Sequence, residues 1–283
     1  MITNFETNKV FLAQGLSSPV FENAANSLVF AFHDSHVNWA RIPSTHSPQH
    51  IWVRDYMPVQ VSRDRFIQFR YEPDYLMENP EYKPDVYSIL SQLGIDVCCS
   101  PINLDGGNII SCGDKVIMTD KIFRENPQYS NDRLIEELSD LLEAEPVLIP
   151  WDIYEEYGHA DGMVRYVGEG RVLLNNYCDF DKALRKKLLA VLSPHFNVTE
   201  LHYGTFTDIS WAYLNFLHVG QHIFVPMMDD KLGETAFKQI VDAYPNCRCH
   251  PVMNCDNIIS EGGALNCCTW NILTSLIVRQ VFH

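Results

Sequence analysis

The chain has no run approaching the roughly 18 consecutive apolar residues of a membrane span. Its first eleven residues show no basic start followed by an apolar stretch and a small-residue cleavage site, so neither a transmembrane helix nor a signal peptide is expected. It also lacks a Gly/Ser/Pro-rich linker and any low-complexity block. Positive charge is scarce: 21 Lys and Arg against 36 Asp and Glu leave a formal charge of −15. That balance disfavours nucleic acid and anionic membrane as partners and suits small cations, although an acidic surface on its own also serves solubility. The nine cysteines are an odd number without a zinc-ligand spacing, with Cys98-Cys99 and Cys267-Cys268 adjacent and Cys247 and Cys249 separated by one residue. In 283 residues, too long for a small disulfide-stapled domain, they point to reduced thiols and a cytoplasmic location. What remains is an ordinary globular balance of 46% hydrophobic and 20% charged residues, with ample length to bury a core.

Four short motifs stand out against this background. They are Trp52-Val53-Arg54-Asp55, Leu104-Asp105-Gly106-Gly107-Asn108, Gly158-His159-Ala160-Asp161 and Glu261-Gly262-Gly263-Ala264-Leu265-Asn266-Cys267. In the last, a glycine pair frees the backbone for a tight turn ahead of a thiol.

Their spacing follows a repeat. Strand-like 66–71, helical 84–93 and strand-like 96–100 precede Asp105. Strand-like 115–119, helical 131–143 and strand-like 146–149 precede His159. The same order recurs in 171–175, 181–192 and 197–201 before Tyr213-Leu214-Asn215-Phe216, and in 222–225, 233–243 and 249–253 before Cys267. A first, less regular unit uses 27–32 and ends at Asp55. Five units of about 50 residues, each closing on a chemistry-bearing loop, predict a single α/β domain over 1–283 with those loops on one face. An ordinary alternating α/β sheet, with motifs at the carboxyl ends of its strands, is the simpler alternative.

Each motif residue has an ordinary reading alone. Asp55 beside Arg54 makes a surface ion pair, Gly106-Gly107 a turn, His159 a satisfied buried histidine, Asp161 a helix cap and Cys267 a small buried hydrophobe. Together they supply a nucleophile, a base and carboxylates. A guanidinium is planar, carries five N–H donors and stays protonated, so paired carboxylates hold it best, and Asp55 and Asp161 fit that need. Its charge would lower the pKa of a neighbouring thiol, and the thiolate of Cys267 would attack the electron-poor central carbon. His159 would protonate the departing ammonia and then, neutral, activate water. The scheme calls for no metal and no organic cofactor.

In these motifs and their order the chain resembles the agmatine deiminase and bacterial peptidylarginine deiminase family of the guanidino-modifying superfamily, whose motifs are W-x-R-D, E-G-G-N, G-H-x-D and G-G-x-x-H-C. The resemblance implies a fan of five ββαβ-type units with pseudo-fivefold symmetry, a pentein. It implies Cys267 as nucleophile, His159 as acid and base, and Asp55 and Asp161 as the guanidinium clamp. Asp105, Asn108, Asn215 and Trp52 are then expected around the substrate, with Trp52 bracing Asp55. Two positions depart from the family. Asp105 stands for the usual Glu and is one methylene shorter, and Asn266 stands where agmatine deiminases usually carry His, a change read as one of specificity. Cys268 competes with Cys267 as nucleophile, but the motif register favours Cys267.

The expected partner is a small guanidino compound or an arginine-containing peptide, with a homo-oligomer left open. The acidic loop from Arg70 to Tyr75 suits an amine tail and so favours agmatine. Trp151, Trp211 and Trp270 are candidates for the channel wall or the core, and the remaining histidines have no role assigned. Amidino transfer to an amine, or guanidino binding without turnover, would use the same residues.

Overall fold

The computed structural model describes residues 1–43, 51–77, 83–153, 155, 157–228 and 231–274; His46 and His50 lie outside them. The expected repeat is present. The first unit runs from β1 (Lys9–Leu12) through the helix Glu22–Ser35 to β2 (Asn38–Arg41). The second has β3 (Val59–Ser62), β4 (Arg65–Arg70), the helix Val86–Leu93 and β5 (Cys98–Asn103). The third has β6 (Ile110–Ser111), β7 (Lys115–Thr119), the helices Lys121–Glu125 and Asn131–Leu142, and β8 (Glu145–Ile149). The fourth has β9 (Val164–Gly168), β10 (Arg171–Leu174), the helices Tyr177–Phe180 and Lys182–Leu192, and β11 (Asn197–Glu200). The fifth has β12 (Leu217–Val219), β13 (His222–Pro226), the helix Gly233–Ala243 and β14 (Arg248–Val252), and β15 (Thr269–Ile272) follows.

Among the described residues these strands form five three-stranded sheets. In each, the middle strand pairs antiparallel with one neighbour and parallel with the other, as β7 does with β6 and β8. The arrangement follows from connection length. An antiparallel pair closes with a short turn, whereas a parallel pair needs a crossover of a dozen or more residues, which the helices supply. The helices bury one face each. In Asn131–Leu142 the leucines 134, 138 and 142 fall at i, i+4 and i+8 and pack into one cluster with Val116 and Met118 of β7 and Ile102 of β5. Each such fully buried leucine contributes about 1.5–3 kcal/mol over an exposed one.

The structure specifies the first unit and shifts one expected strand. Residues 27–32 of the irregular first unit lie inside the helix Glu22–Ser35, where Leu28, Ala31 and Phe32 are buried at helical spacing. The strands of that unit are β1 and β2, and the sheet is completed by β15 from the other end of the chain, antiparallel to β1. The strand expected at 96–100 is Cys98–Asn103 and runs through Pro101, which sits where the pairing register with β4 shifts between Gln68 and Arg70. A proline is tolerated at such an irregularity because no ladder donor is needed there.

The segments between the last strand of one unit and the first strand of the next are equivalent, and each holds a short helical turn: Val53–Tyr56, Gly106–Asn108, Ala160–Gly162, Ser210–Tyr213 and Asp256–Ile259. The first of these packs on the second and the second on the third. Every motif singled out from the sequence lies on or beside one of these five turns.

Candidate active site

The Cys267 loop is anchored through its backbone before its thiol is considered. Cys267 O accepts from Arg54 N at 3.0 Å and Asn266 N donates to Asn215 O at 3.0 Å, so the loops of the first, fourth and fifth units are tied together. Gly263 permits this approach, because a Cβ there would lie 2.3 Å from the ring of Trp52. Trp52 therefore braces the Cys267 loop as well as preceding the Asp55 turn. The thiol donates toward Asn215 Oδ1 at 3.2 Å and lies 3.7 Å from Asp161 Oδ2. Asp161 Oδ2 also accepts from Asn266 Nδ2 at 2.6 Å. Asn266, read from sequence as a specificity position, thus orients the carboxylate beside the thiol.

His159 sits between two carboxylates. Its Nε2 lies 3.0 Å from Asp105 Oδ2 and its Nδ1 lies 3.8 Å from Asp55 Oδ1. Asp55 Oδ1 is itself held by Gly107 N at 3.1 Å. Gly107 is required there: a Cβ would lie 2.6 Å from His159 Nδ1 and 2.8 Å from Asp55 Oδ1. Tyr75 donates its hydroxyl to the same Asp105 oxygen at 2.9 Å, and Glu155 Oε2 accepts from His159 N at 2.9 Å.

The electrostatics follow from burial among these groups. Burial alone would depress His159, but Asp55, Asp105 and Glu155 outweigh it and hold the imidazole well above the ordinary histidine range. Burial raises Asp55, assisted by Asp105 and Asp161 and opposed by His159. Burial, then Asp161 and Asp55, push the Cys267 thiol well above its usual value. The carboxylates thus favour the charged form of the imidazole and disfavour the thiolate, and a bound cation would offset them.

Cys267, His159, Asp161 and Asn215 line one cleft of about 940 Å³. Its walls carry Asp152, Glu155, Asp181, Asp208 and Glu261 in addition to Asp161, and no Lys or Arg among the described residues. Trp211 is in the wall, Trp151 donates from Nε1 to Glu155 O, and Trp270 is buried with its Nε1 on Pro58 O. Asp55 and Asp105 flank the His159 ring and do not line the cleft. Asn108 is placed differently from the expectation that it meets substrate: its Oδ1 accepts from Thr119 N at 2.8 Å and ties its loop to β7. The acidic residues of the Arg70–Tyr75 loop are also placed elsewhere. Glu72 pairs with Arg70 and Lys83, and Asp74 with Lys121 and Arg124, so their charge is spent locally.

Several participants were not legible in the sequence. Tyr75 reaches Asp105, and Glu155 reaches His159, from outside the four motifs. Cys178, Asp179 and His202, to which no role was assigned, bring three ligand-type atoms within 4.8 Å of one another. Asp179 there already accepts from Tyr203 N and Asn176 Nδ2, which makes it a loop staple.

Residues 1–272 match the family described as Porphyromonas-type peptidyl-arginine deiminase. A putative agmatine deiminase of Photobacterium profundum is 24% identical over 271 residues, covering 78% of this chain and 74% of that protein. One from Vibrio parahaemolyticus is 24% identical over 224 residues, and the match spans 65% of this chain but only 62% of the relative. Among solved structures, the agmatine deiminase of Enterococcus faecalis superposes with a TM-score of 0.78 at 18% identity, covering 98% of this chain and 96% of that one. DDAH from Pseudomonas aeruginosa, as a mutant complexed with citrulline, superposes with a TM-score of 0.63 at 14% identity, covering 95% of this chain and 100% of that one. The five sheets are accordingly those of a pentein.

Proposed function

The chain belongs to the Porphyromonas-type peptidyl-arginine deiminase family, and from that premise we propose that it hydrolyses a guanidino group to a ureido group and ammonia through a covalent bond to Cys267. The observation that carries this reading is the thiol of Cys267 beside Asp161, in one cleft with an imidazole flanked by Asp55 and Asp105.

The substrate guanidinium is held by Asp161, which lines the cleft, and its charge is also offset by Asp55 beside His159. Its positive charge offsets the carboxylates that raise the thiol pKa, so once substrate is bound the thiol gives up its proton to water in the cleft. The thiolate attacks the guanidinium carbon to form a tetrahedral adduct. Histidinium His159 donates a proton to one nitrogen, the C–N bond breaks, and ammonia leaves a thiouronium on Cys267. The now neutral imidazole takes a proton from water as the hydroxyl adds to the same carbon. Collapse breaks the C–S bond with its electron pair going to sulfur, and the hydroxyl proton passes to that sulfur through water, which restores the Cys267 thiol and releases the ureido product. Asp105 and Tyr75 fix the imidazole through both steps, and positioning plus fixed charge supply most of the acceleration.

The acidic cleft extends the reading to the substrate tail. With carboxylates along the walls and no Lys or Arg among the described lining residues, the cleft favours an amine tail of the agmatine type over the α-carboxylate of free arginine. A parallel assay of ammonia and ureido product with agmatine, arginine and an arginine peptide, without added amine, tests both halves. Ammonia from agmatine in preference to arginine is expected. Product formation only when an acceptor amine is present would replace hydrolysis by amidino transfer.

A further inference from the structure

A second cavity, of about 70 Å³, shares no lining residue with the cleft, yet it is bordered by the chain neighbours of the site: Arg54 beside Asp55, Gly106 beside Gly107 and Asn266 beside Cys267. Its character is set by two buried guanidinium groups. Arg54 donates from Nε to Asn266 O at 3.3 Å and from Nη2 to Asn271 Oδ1 at 2.5 Å. Arg165, only 2% exposed, lies with its guanidinium carbon 4.7 Å from the centre of the Phe216 ring. No carboxylate oxygen among the described residues lies within 4.0 Å of either group. Arg165 Nη2 is buried with no hydrogen-bond partner among the described residues, and so is Ser111 Oγ, which borders the same cavity.

Buried donors are almost always satisfied, and buried charges are almost always paired. Here two like charges share one small polar space, and burial, then the charge of Arg165, lowers the pKa of Arg54 to about 10. An anion with room to reach Arg165 Nη2 and Ser111 Oγ would satisfy both orphaned donors and offset the repulsion. The volume limits it to a small one, since a single water already needs about 10–15 Å³ by this kind of measure.

We propose that this cavity is a binding site for a small monovalent anion of the halide type, held chiefly by Arg165 with Arg54 and Ser111. Occupancy also acts on the cleft. Arg54 and Arg165 both interact favourably with the negative forms of Asp161 and Cys267, so an anion between the arginines reduces the positive field that helps the thiolate form. This second clause rests on Cys267 being the nucleophile; the binding itself does not.

Thermal unfolding of the full chain in sodium chloride and sodium bromide, against sodium gluconate at equal ionic strength, tests the site. At tenfold excess over Kd a bound halide multiplies the folded-to-unfolded ratio roughly elevenfold, a Tm rise of about 3 °C. The rise should grow with the logarithm of halide concentration above Kd, be absent with gluconate and disappear in Arg165→Met. Should that variant not fold, Ser111→Ala with a weakened halide response and an anomalous bromide peak beside Arg165 in crystals give the same answer. Equal Tm changes with gluconate and halide, or bromide found only at surface sites, overturn the proposal. Over the halide range that raises Tm, alkylation of Cys267 by iodoacetamide should slow at least threefold. An unchanged rate would overturn the coupling while leaving the anion site in place.

Discussion

Replacing Asp105 by Asn isolates the group that most directly sets the state of His159. The side chain keeps its shape but loses the charge that Nε2 faces at 3.0 Å, inside a pocket where Asp105 is 3% exposed. A hydrogen bond to a charged partner is worth about 1.5–3 kcal/mol, which at 1.36 kcal/mol per unit lowers the histidine pKa by about 1–2 units. His159 is held high in the native enzyme against the lowering effect of burial, by Asp55 and then Asp105. The alkaline limb of kcat/KM, where the general acid is lost, should therefore move down by about 1–2 pH units. Between the old limb and the new one the activity ratio should reach about tenfold to hundredfold, while the two enzymes converge at lower pH. Ureido product formation across pH is the assay. Stability follows the same sign: the contribution of raised His159 is complete below about 6.5, its unfolded value, and is lost as pH rises through the raised folded value, earlier in the variant. An alkaline limb that stays within about 0.3 units of the native one would refute the argument that Asp105 holds the imidazole charged.

Other outcomes are as specific. Cys267→Ala should lose roughly a thousandfold or more in kcat, while Cys268→Ala keeps at least about a tenth, because Cys268 is fully buried with its sulfur on Leu265 O; the reverse pattern in steady-state assays would move the nucleophile by one residue. Asp208→Asn and Glu261→Gln, both exposed on the cleft wall, should each raise KM for an amine-tailed substrate about twofold to fivefold, in keeping with about 0.2–1 kcal/mol for an exposed ion pair. Glu72→Gln should leave the ranking of substrates unchanged. Leu138→Ala should cost about 2–5 kcal/mol in urea unfolding, since its side chain is fully buried in the cluster with Ile102, Val116 and Met118. Preincubation with EDTA followed by its removal should leave activity unaltered, because every step is assigned to a side chain.

The motifs were legible because each packs its chemistry into a few residues on a turn that only glycine or a small residue allows, as Gly107 between Asp55 and His159 shows. The repeat was legible because Leu134, Leu138 and Leu142 declare a helix face and the runs around 115–119 and 146–149 declare strands. Long-range pairing was not. Nothing in Thr269–Ile272 says that it joins the strand at Lys9–Leu12, because register across the whole chain is set by packing and not by local pattern. Partner choice was hidden for the same reason. Asp74 and Tyr75 are adjacent, yet the carboxylate turns to Lys121 and Arg124 while the hydroxyl turns to Asp105. Arg165 carries no motif in its surroundings, and only its burial beside Arg54 makes it informative.

The central claim is the covalent bond from guanidino carbon to Cys267. It is tested most directly by acid quench during steady turnover of whichever guanidino compound the assay identifies, followed by mass spectrometry of the peptide that carries Cys267 and Cys268. The account predicts an adduct of the substrate mass less ammonia, located on Cys267 and absent in Cys267→Ala. Turnover with that peptide unmodified at every quench time, or the adduct on Cys268, would contradict it.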